Sequence, residues 1–242
     1  MSKLIPSKVN IWLNNAQTYI YPHTCFLCDQ PSSTSMDLCT TCLNDFHSID
    51  QRCTYCDIEL SGVSLVTTNL VCGRCLKTTP YYDKIRTLYR YSDATRFLIQ
   101  SLKFNAKHSC ARTIGTLMAR HFSHLNEKPD ALIAVPLHPK RLIERGFNQS
   151  DLIAQYIQQT LDVPMISHQL QRVTNTVSQS TLKAPERRKN LTNAFRYELL
   201  KTYPSIAVID DVVTTGSTAN EIAKTLKKAG VKRVEIWAFA RA

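Results

Sequence analysis

Val208-Ile-Asp-Asp-Val-Val-Thr-Thr-Gly-Ser-Thr218 is the stretch from which the rest of this chain is best interpreted. It follows a short apolar run typical of a buried strand, at 206–209, and leads into an amphipathic helical pattern over 218–229. Hydroxyl side chains, a glycine that permits close backbone approach and a helix N-terminus together favour binding of a phosphate. Two carboxylates precede the hydroxyls, which indicates a ligand that carries hydroxyl groups beside its phosphate, such as a sugar phosphate. The loop lacks the lysine of the GxxxxGK[ST] triphosphate loop.

The chain after Pro80 alternates between strand and helix patterns. Strands are predicted at 84–91, 131–135, 206–209 and 234–239, and helices at 93–104, 111–125, 150–161 and 218–229. This alternation predicts an α/β domain over residues 81–242, built on a mostly parallel sheet with helices on both faces. Ligands of such sheets bind at the carboxyl ends of the strands, where the polar motifs of this sequence fall.

The first part of the chain, residues 1–80, is predicted to be a small cysteine-rich zinc module, similar to a double zinc ribbon, with an N-terminal helix. Eight of the nine cysteines form four CxxC pairs. In a reducing cytosol such pairs more often bind metal than form disulfides. Two CxxC turns complete a tetrahedral four-thiolate shell, the closed geometry of a structural zinc site, so we expect two zinc ions. The ligands are Cys25, Cys28, Cys39 and Cys42 for one ion and Cys53, Cys56, Cys72 and Cys75 for the other if pairing is sequential.

Two other interpretations of the cysteines stay open at this point. A cross-braced pairing uses the same eight residues, and an iron–sulfur cluster would also accept thiolate ligands. A redox-active dithiol fits less well, because four CxxC pairs exceed what such chemistry requires.

Composition places limits on partners and location. Lys and Arg outnumber Asp and Glu by 30 to 19, a net charge of +11 that favours polyanionic partners. The sequence contains neither an apolar run of about 18 to 20 residues, which would span a bilayer, nor the apolar core of a secretory signal, so we expect a cytoplasmic protein without a transmembrane segment. Apolar residues between positions 9 and 20 predict an amphipathic helix. It would pack on its own protein or touch the inner face of the membrane.

The loop at 208–218 resembles the phosphoribosyl-diphosphate signature of type I phosphoribosyltransferases. The resemblance implies that Asp210 and Asp211 hold the ribose hydroxyls and that magnesium binds together with the diphosphate. It implies that the 5-phosphate is cradled by Thr214, Thr215, Gly216, Ser217 and Thr218. The segment after the strand at 131–135 resembles the diphosphate-binding loop and supplies Lys140, Arg141 and Arg145.

Further motifs narrow the resemblance to one family. The sequence contains RGFNQ at 145–149, TxxQ at 176–179 and RxxN at 187–190, besides DDVxTTGxT at 210–218. Together with the cysteine module they are similar to the ComF competence-protein family and its GntX-type relatives. That resemblance implies a role in natural transformation, with phosphoribosyl diphosphate, incoming single-stranded DNA and DNA-uptake or recombination proteins as partners.

Two functional hypotheses follow. In the first, the chain is a phosphoribosyltransferase of unknown acceptor, acting on DNA or in nucleotide metabolism. In the second, it is a non-catalytic adaptor that binds single-stranded DNA through basic and aromatic side chains. Only Ala240-Arg-Ala242 follows the last predicted strand, so no C-terminal hood is expected over the site. We therefore expect the cysteine module to abut the phosphate loop.

Overall fold

A computed structural model describes residues 23–32, 34, 36–61, 69–174 and 193–242. The chain divides into two compact units, Met1–Phe46 and His47–Ala242. The second set of four cysteines therefore belongs to the larger unit, while the division into modules of 1–80 and 81–242 stays a prediction. The predicted N-terminal helix and the TxxQ and RxxN motifs lie outside the described residues. Within the described ranges, no helix is both long and apolar enough to cross a membrane.

The smaller unit is a zinc ribbon that we call the first ribbon. Its first CxxC turn is closed by Asp29, a residue with a φ of 58°. The Asp29 amide donates to the carbonyl of Cys25 at 2.9 Å. Helix α1, Thr40–Asn44, begins at the second CxxC, with Cys39 as its N-cap. Because few side chains are available for a core, Met36 and Leu38 are the apolar residues buried between the two turns.

The larger unit begins with a second ribbon that repeats this plan. The amide of Asp57 donates to the carbonyl of Cys53 at 2.9 Å, again with a positive φ, of 57°. Helix α2, Gly73–Lys77, begins after Cys72, the counterpart of Cys39. The recurrence of aspartate directly after a CxxC pair is an internal repeat that the sequence displays as CDQ and CDI.

A four-stranded parallel sheet forms the centre of the larger unit. Its strands are β1 (Lys84–Arg90), β2 (Ala131–Ala134), β5 (Ser205–Val213) and β6 (Arg233–Arg241), in the order β1-β6-β5-β2. A separate antiparallel two-stranded sheet contains β3 (Leu170–Arg172) and β4 (Phe195–Tyr197). The sheet confirms the predicted α/β class. Strand β5 continues to Val213, four residues past the predicted end, because it stays hydrogen-bonded to β6 as far as Arg241.

Helices cover both faces of this sheet, as predicted. They are α3 (Asp93–Asn105), α4 (His108–Ser123), α5 (Pro139–Arg145), α6 (Gln149–Leu161) and α7 (Ser217–Lys228). Neighbouring residues of a strand point to opposite faces. Accordingly Trp237 of β6 stacks on Phe122 of α4, with ring centroids 4.3 Å apart, whereas Ile236 belongs to the apolar cluster that contains Leu226 of α7. Buried cysteines of the second ribbon join that same α7-side cluster.

Both edges of the sheet are occupied by other parts of the chain. Along β1, the amide of Ile85 donates to the carbonyl of Tyr55 at 2.7 Å, and the amide of Thr87 donates to the buried carboxylate of Asp57 at 2.7 Å. Along β2, the amide of Leu132 donates to the carbonyl of Pro164 at 2.8 Å. The second ribbon is thus built into the edge of the sheet and serves there in place of a further strand.

Candidate functional site

A cavity of about 400 Å³ opens at the carboxyl ends of β2 and β5, and we call it the inner cavity. It brings together most of the residues that the sequence nominates. Its walls contain Lys103, Phe104, Arg141, Arg145, Gln149, Arg172 and residues 210–219, as well as 135–137 after β2. All seven nominated residues of the signature, Asp210, Asp211, Thr214, Thr215, Gly216, Ser217 and Thr218, are among them.

The phosphate loop, Thr214–Thr218, connects β5 to α7 in the geometry of an anion site. Gly216 is the N-cap of α7 and has a φ of +73°, a conformation that side chains with a Cβ rarely adopt. The hydroxyl groups of Thr215 and Ser217 are 2.9 Å apart, and the Ser217 amide donates to the Thr215 hydroxyl at 3.3 Å. The loop therefore combines hydroxyl groups with the amides and positive dipole end of a 12-residue helix.

The acid pair lies inside β5 and includes one strongly buried carboxylate. Asp211 is 2% exposed, and its carboxylate forms an ion pair with the ammonium group of Lys103. The Asp210 carboxylate accepts the Asp211 amide at 2.9 Å and the Ser150 hydroxyl at 3.4 Å. Burial, reinforced by the charge of Asp211, raises the pKa of Asp210 well above its ordinary value. The pair can accept hydrogen bonds from sugar hydroxyls, with Lys103 as its counter-charge.

Lys103 lines the inner cavity but is not among the site residues that the sequence predicts. Burial lowers the pKa of its ammonium group, but the charge and hydrogen bond of Asp211 outweigh burial and raise the pKa overall. No motif contains this lysine. A signal nevertheless exists, because Lys103 lies one helical turn after Ile99, which is 1% exposed and faces the core. A lysine on the buried side of an amphipathic helix points to a carboxylate partner inside the protein.

Arginines form the opposite wall of the inner cavity. Arg145 donates to the side-chain oxygen of Gln149 at 2.7 Å, and its guanidinium lies 5.9 Å from the ring centroid of Phe104. Arg172, which is 8% exposed, comes from β3 and was not nominated. Burial and the charge of Arg141 lower the pKa of Arg172, partly offset by Asp210. A concave surface with three guanidinium groups is suited to a diphosphate.

The nominated basic segment differs from its prediction in one respect. The segment after the strand at 131–135 is predicted to be a loop, but residues Pro139–Arg145 form the short helix α5. Pro139 occupies the first helical turn, where its fixed φ is favourable, and Gly146 ends the helix with a φ of 80°. As a result Arg141 and Arg145 line the inner cavity, whereas Lys140 is exposed and is not part of its wall.

The eight nominated cysteines form two clusters with sequential pairing. Within each cluster the four sulfur atoms lie within 4.8 Å of one another. The Sγ atoms of Cys28 and Cys39 are 3.8 Å apart and those of Cys56 and Cys72 are 3.6 Å apart. A tetrahedral zinc site with bonds of about 2.3 Å has sulfur–sulfur edges of about 3.8 Å, so both clusters fit zinc.

Backbone amides donate to a sulfur atom in each cluster. The amide of Cys72 donates to the sulfur of Cys53 at 3.3 Å, and the amide of Cys42 donates to that of Cys39 at 3.4 Å. Burial opposes ionisation of Cys53, yet hydrogen bonds from backbone amides outweigh burial and lower the pKa of its thiol to about 7. Four protein ligands leave no open position, so the ions are structural.

The second ribbon is hydrogen-bonded directly to the phosphate loop. The prediction that the cysteine module abuts this loop is therefore confirmed for the second ribbon. The Arg74 guanidinium, from α2, donates to the carbonyl of Thr215. Arg241, which is 3% exposed, donates to the carbonyl of Cys56 at 2.9 Å and to that of Val213 at 2.9 Å, and also contacts the carbonyl of Thr214. The end of β5, the loop and the ribbon are therefore held by shared guanidinium groups.

Comparison with known proteins agrees with this architecture. Residues 16–83 match the model of the double zinc ribbon domain. Competence protein F of Haemophilus influenzae is 37% identical over 214 residues, which cover 85% of this chain and 90% of that protein. The DNA utilization protein YhgH of Escherichia coli K12 is 33% identical over 226 residues, which cover 91% of this chain and 97% of that protein. Competence protein ComFC of Streptococcus pneumoniae is 23% identical, over 90% and 99% of the two chains.

Among solved structures, a purine phosphoribosyltransferase from Pyrococcus horikoshii aligns over 55% of this chain and 83% of its own, with a TM-score of 0.31 and 15% identity. The sequence relatives carry the family assignment. Because they match at up to 37% identity over nearly their whole length, this chain belongs to the family of competence protein F and YhgH, the ComF family.

Proposed function

We propose that this protein binds phosphoribosyl diphosphate in the inner cavity and acts on or with incoming single-stranded DNA in the cytoplasm during natural transformation. One observation carries the first part: the acid pair, the phosphate loop and three cavity-facing arginines converge at the carboxyl ends of β2 and β5. The second part rests on the names of the relatives, which include competence proteins and a DNA utilization protein.

Each part of the cavity has a role in this proposal. Asp210 and Asp211 accept hydrogen bonds from the ribose hydroxyls, and the phosphate loop binds the 5-phosphate. The diphosphate lies against Arg141, Arg145 and Arg172, whose forked donors match phosphate oxygens. Lys140, outside the cavity wall, contributes only long-range charge. A magnesium ion bound with the ligand would neutralise part of the diphosphate charge, since Mg²⁺ prefers phosphate and carboxylate oxygens.

The same arrangement supports a transfer reaction. The bond between C1 of the ribose and the diphosphate oxygen breaks, the diphosphate leaves with the electron pair, and an acceptor nucleophile forms the new bond to C1. Negative charge grows on the leaving diphosphate, where preorganised guanidinium groups stabilise it. Lys103 supplies the counter-charge for the buried Asp211 carboxylate while the ribose is held. The acceptor is unassigned in this proposal.

Calorimetric titration with phosphoribosyl diphosphate and magnesium tests the donor site. We expect the wild type to bind and the double variant Asp210→Asn/Asp211→Asn to bind at least about tenfold more weakly, because neutral amides lose the charge-assisted bonds to the hydroxyls. Asp93→Asn is the matched control, since that carboxylate is 92% exposed on α3. Circular dichroism of the double variant checks that the sheet is retained. A wild type that does not bind the ligand would refute the proposed donor site.

A binding-only role is the second candidate, and the exposed ring of Phe104 favours it. This ring is 72% exposed at the mouth of the inner cavity and has the Arg145 guanidinium above it, which is the pairing of aromatic and cation that single-stranded DNA binders use. Release of diphosphate upon addition of DNA distinguishes transfer from binding alone, and release with a free nucleobase would instead indicate an enzyme of nucleotide metabolism.

Backbone contacts in the inner cavity should make DNA binding depend on salt. For Arg141→Gln we expect the slope of log affinity against log salt concentration to shrink by about 0.7, the value for one lost phosphate contact on a single strand. Lys128→Gln is the control, because Lys128 is exposed just before β2, at the end of the strand opposite to the inner cavity. Fluorescence anisotropy with an oligothymidylate at several salt concentrations gives both slopes. An unchanged slope for Arg141→Gln would exclude this arginine as a phosphate contact.

A further inference from the structure

A second cavity of about 320 Å³ lies on the other side of the phosphate loop, and we call it the outer cavity. Thr215, Gly216 and Ser217 line both cavities, so the loop is a wall that the two share. The remaining walls of the outer cavity come from the second ribbon, from the segment that leads into β1 and from the first turns of α7. The loop is therefore flanked by open space on two sides.

The outer cavity presents an aromatic face together with positive charge. The Tyr81 ring is 50% exposed, and the ammonium group of Lys224 lies 5.7 Å from its centroid. The Tyr81 amide donates to the side-chain oxygen of Asn220 at 2.8 Å, which holds this residue against α7. The residue is thus fixed at its backbone while its ring stays accessible to a ligand.

Polar groups around the ring favour an anionic ligand. Arg74, which donates to the carbonyl of Thr215, is exposed and lines the cavity, so its guanidinium brings positive charge to this wall. The one carboxylate in this wall, Glu221, accepts the amide of Asn193 at 2.9 Å and so has a partner within the protein. An arginine and a lysine beside an exposed ring match a nucleotide, in which a phosphate adjoins a planar base.

We propose that the outer cavity is a second subsite, in which a base of single-stranded DNA stacks on Tyr81 while the neighbouring phosphate contacts Arg74 and the phosphate loop. This inference rests on the proposed role with DNA and assigns one place where the strand would bind. A single strand is the fitting partner because its bases have free faces, whereas the bases of a duplex are already stacked and paired.

The subsite predicts a specific pattern of affinities. For Tyr81→Ala we expect the affinity for an oligothymidylate, measured by fluorescence anisotropy, to fall about fivefold or more, as the loss of one stacked base implies. Tyr81→Trp should restore it. Affinity for ribose 5-phosphate, measured by calorimetry, should be unchanged in both variants, because the sugar phosphate lies on the inner side of the loop. Phe97→Ala is the aromatic control, since its ring is 40% exposed on α3 and lines neither cavity.

Three outcomes separate this subsite from the proposed function. An unchanged DNA affinity in Tyr81→Ala would overturn the subsite and leave the donor site intact. Equal losses of affinity for DNA and ribose 5-phosphate would also overturn it, because Tyr81 would then merely support the loop. If the wild type binds no ribose 5-phosphate but Tyr81→Ala still loses DNA affinity, the subsite stands and the donor role fails.

Discussion

Replacement of Cys53 by serine is expected to lower the zinc content from two ions per chain to one and to weaken binding of phosphoribosyl diphosphate more than about tenfold. The side chain of Cys53 is fully buried, and its sulfur is one of four ligands in the second cluster. Structural zinc contributes about 10 to 16 kcal/mol in small zinc domains, comparable to the whole stability of an ordinary domain. Loss of the ion therefore releases the second ribbon. Two contacts are lost with it, the hydrogen bond from Arg74 to the loop and that from Arg241 to the carbonyl of Cys56.

The measurement is elemental analysis for zinc combined with the calorimetric titration, on the same preparation. Cys110→Ser is the first control: this buried residue of α4 belongs to neither cluster, so two ions and full affinity are expected. Cys25→Ser is the second, since it removes one ion from the other compact unit and should preserve ligand affinity. Full affinity in Cys53→Ser with one ion bound would show that the metal does not support the loop.

Arg241→Met is expected to lower the free energy of unfolding by about 3 kcal/mol and to weaken phosphate binding as well. The substitution keeps an apolar stem of similar length but leaves the carbonyls of Cys56, Val213 and Thr214 without their shared donor. The carbonyl of Val213 still accepts the amide of Ala242 at 3.0 Å, whereas each buried carbonyl left without a partner costs about 1 to 3 kcal/mol. The arginine also sits beside a zinc cluster whose four thiolates leave a net negative charge, so its own charge is compensated there.

Urea unfolding followed by circular dichroism measures this effect, because the midpoint shifts while the slope stays constant if only stability changes. Lys232→Met is the matched control: this cation is exposed just before the same strand, and a change within about 0.5 kcal/mol is expected. Arg241→Lys should lie between the two, since an ammonium group retains the charge but cannot reproduce a planar fork of donors. Equal stability of Arg241→Met and wild type would contradict the role of this residue as a link.

Much of the fold follows from local pattern. The apolar runs at 131–134 and 206–209 mark buried parallel strands, and the four CxxC pairs identify all eight metal ligands. Their sequential pairing, which the spacing alone left open, is given by the structure. The end of β5 could not be placed this way. Asp210 and Asp211 look like loop residues, but pairing with β6 keeps them in the strand, where tertiary hydrogen bonds override local preference.

Parts of the candidate site depend on contacts that sequence spacing does not encode. Arg172 reaches the inner cavity because β3 pairs with β4, more than 20 residues away along the chain. Arg241, the residue before the last one of the sequence, lies buried because its partners come from the second ribbon and from β5. Helix α5 was missed for a different reason, since its seven residues give too short a pattern for periodicity to reveal.

The closed edges of the sheet have a consequence for self-association. An exposed strand edge is a template on which another chain can add a strand, and natural proteins cover such edges. Here the cover over β1 is the second ribbon, which provides the carbonyl of Tyr55 and the carboxylate of Asp57 to that strand. Removal of zinc would release the second ribbon and so expose the edge of β1, in addition to disturbing the ligand site. Metal-depleted protein is then expected to aggregate through β1. Zinc binding would therefore also prevent the formation of intermolecular β-sheets.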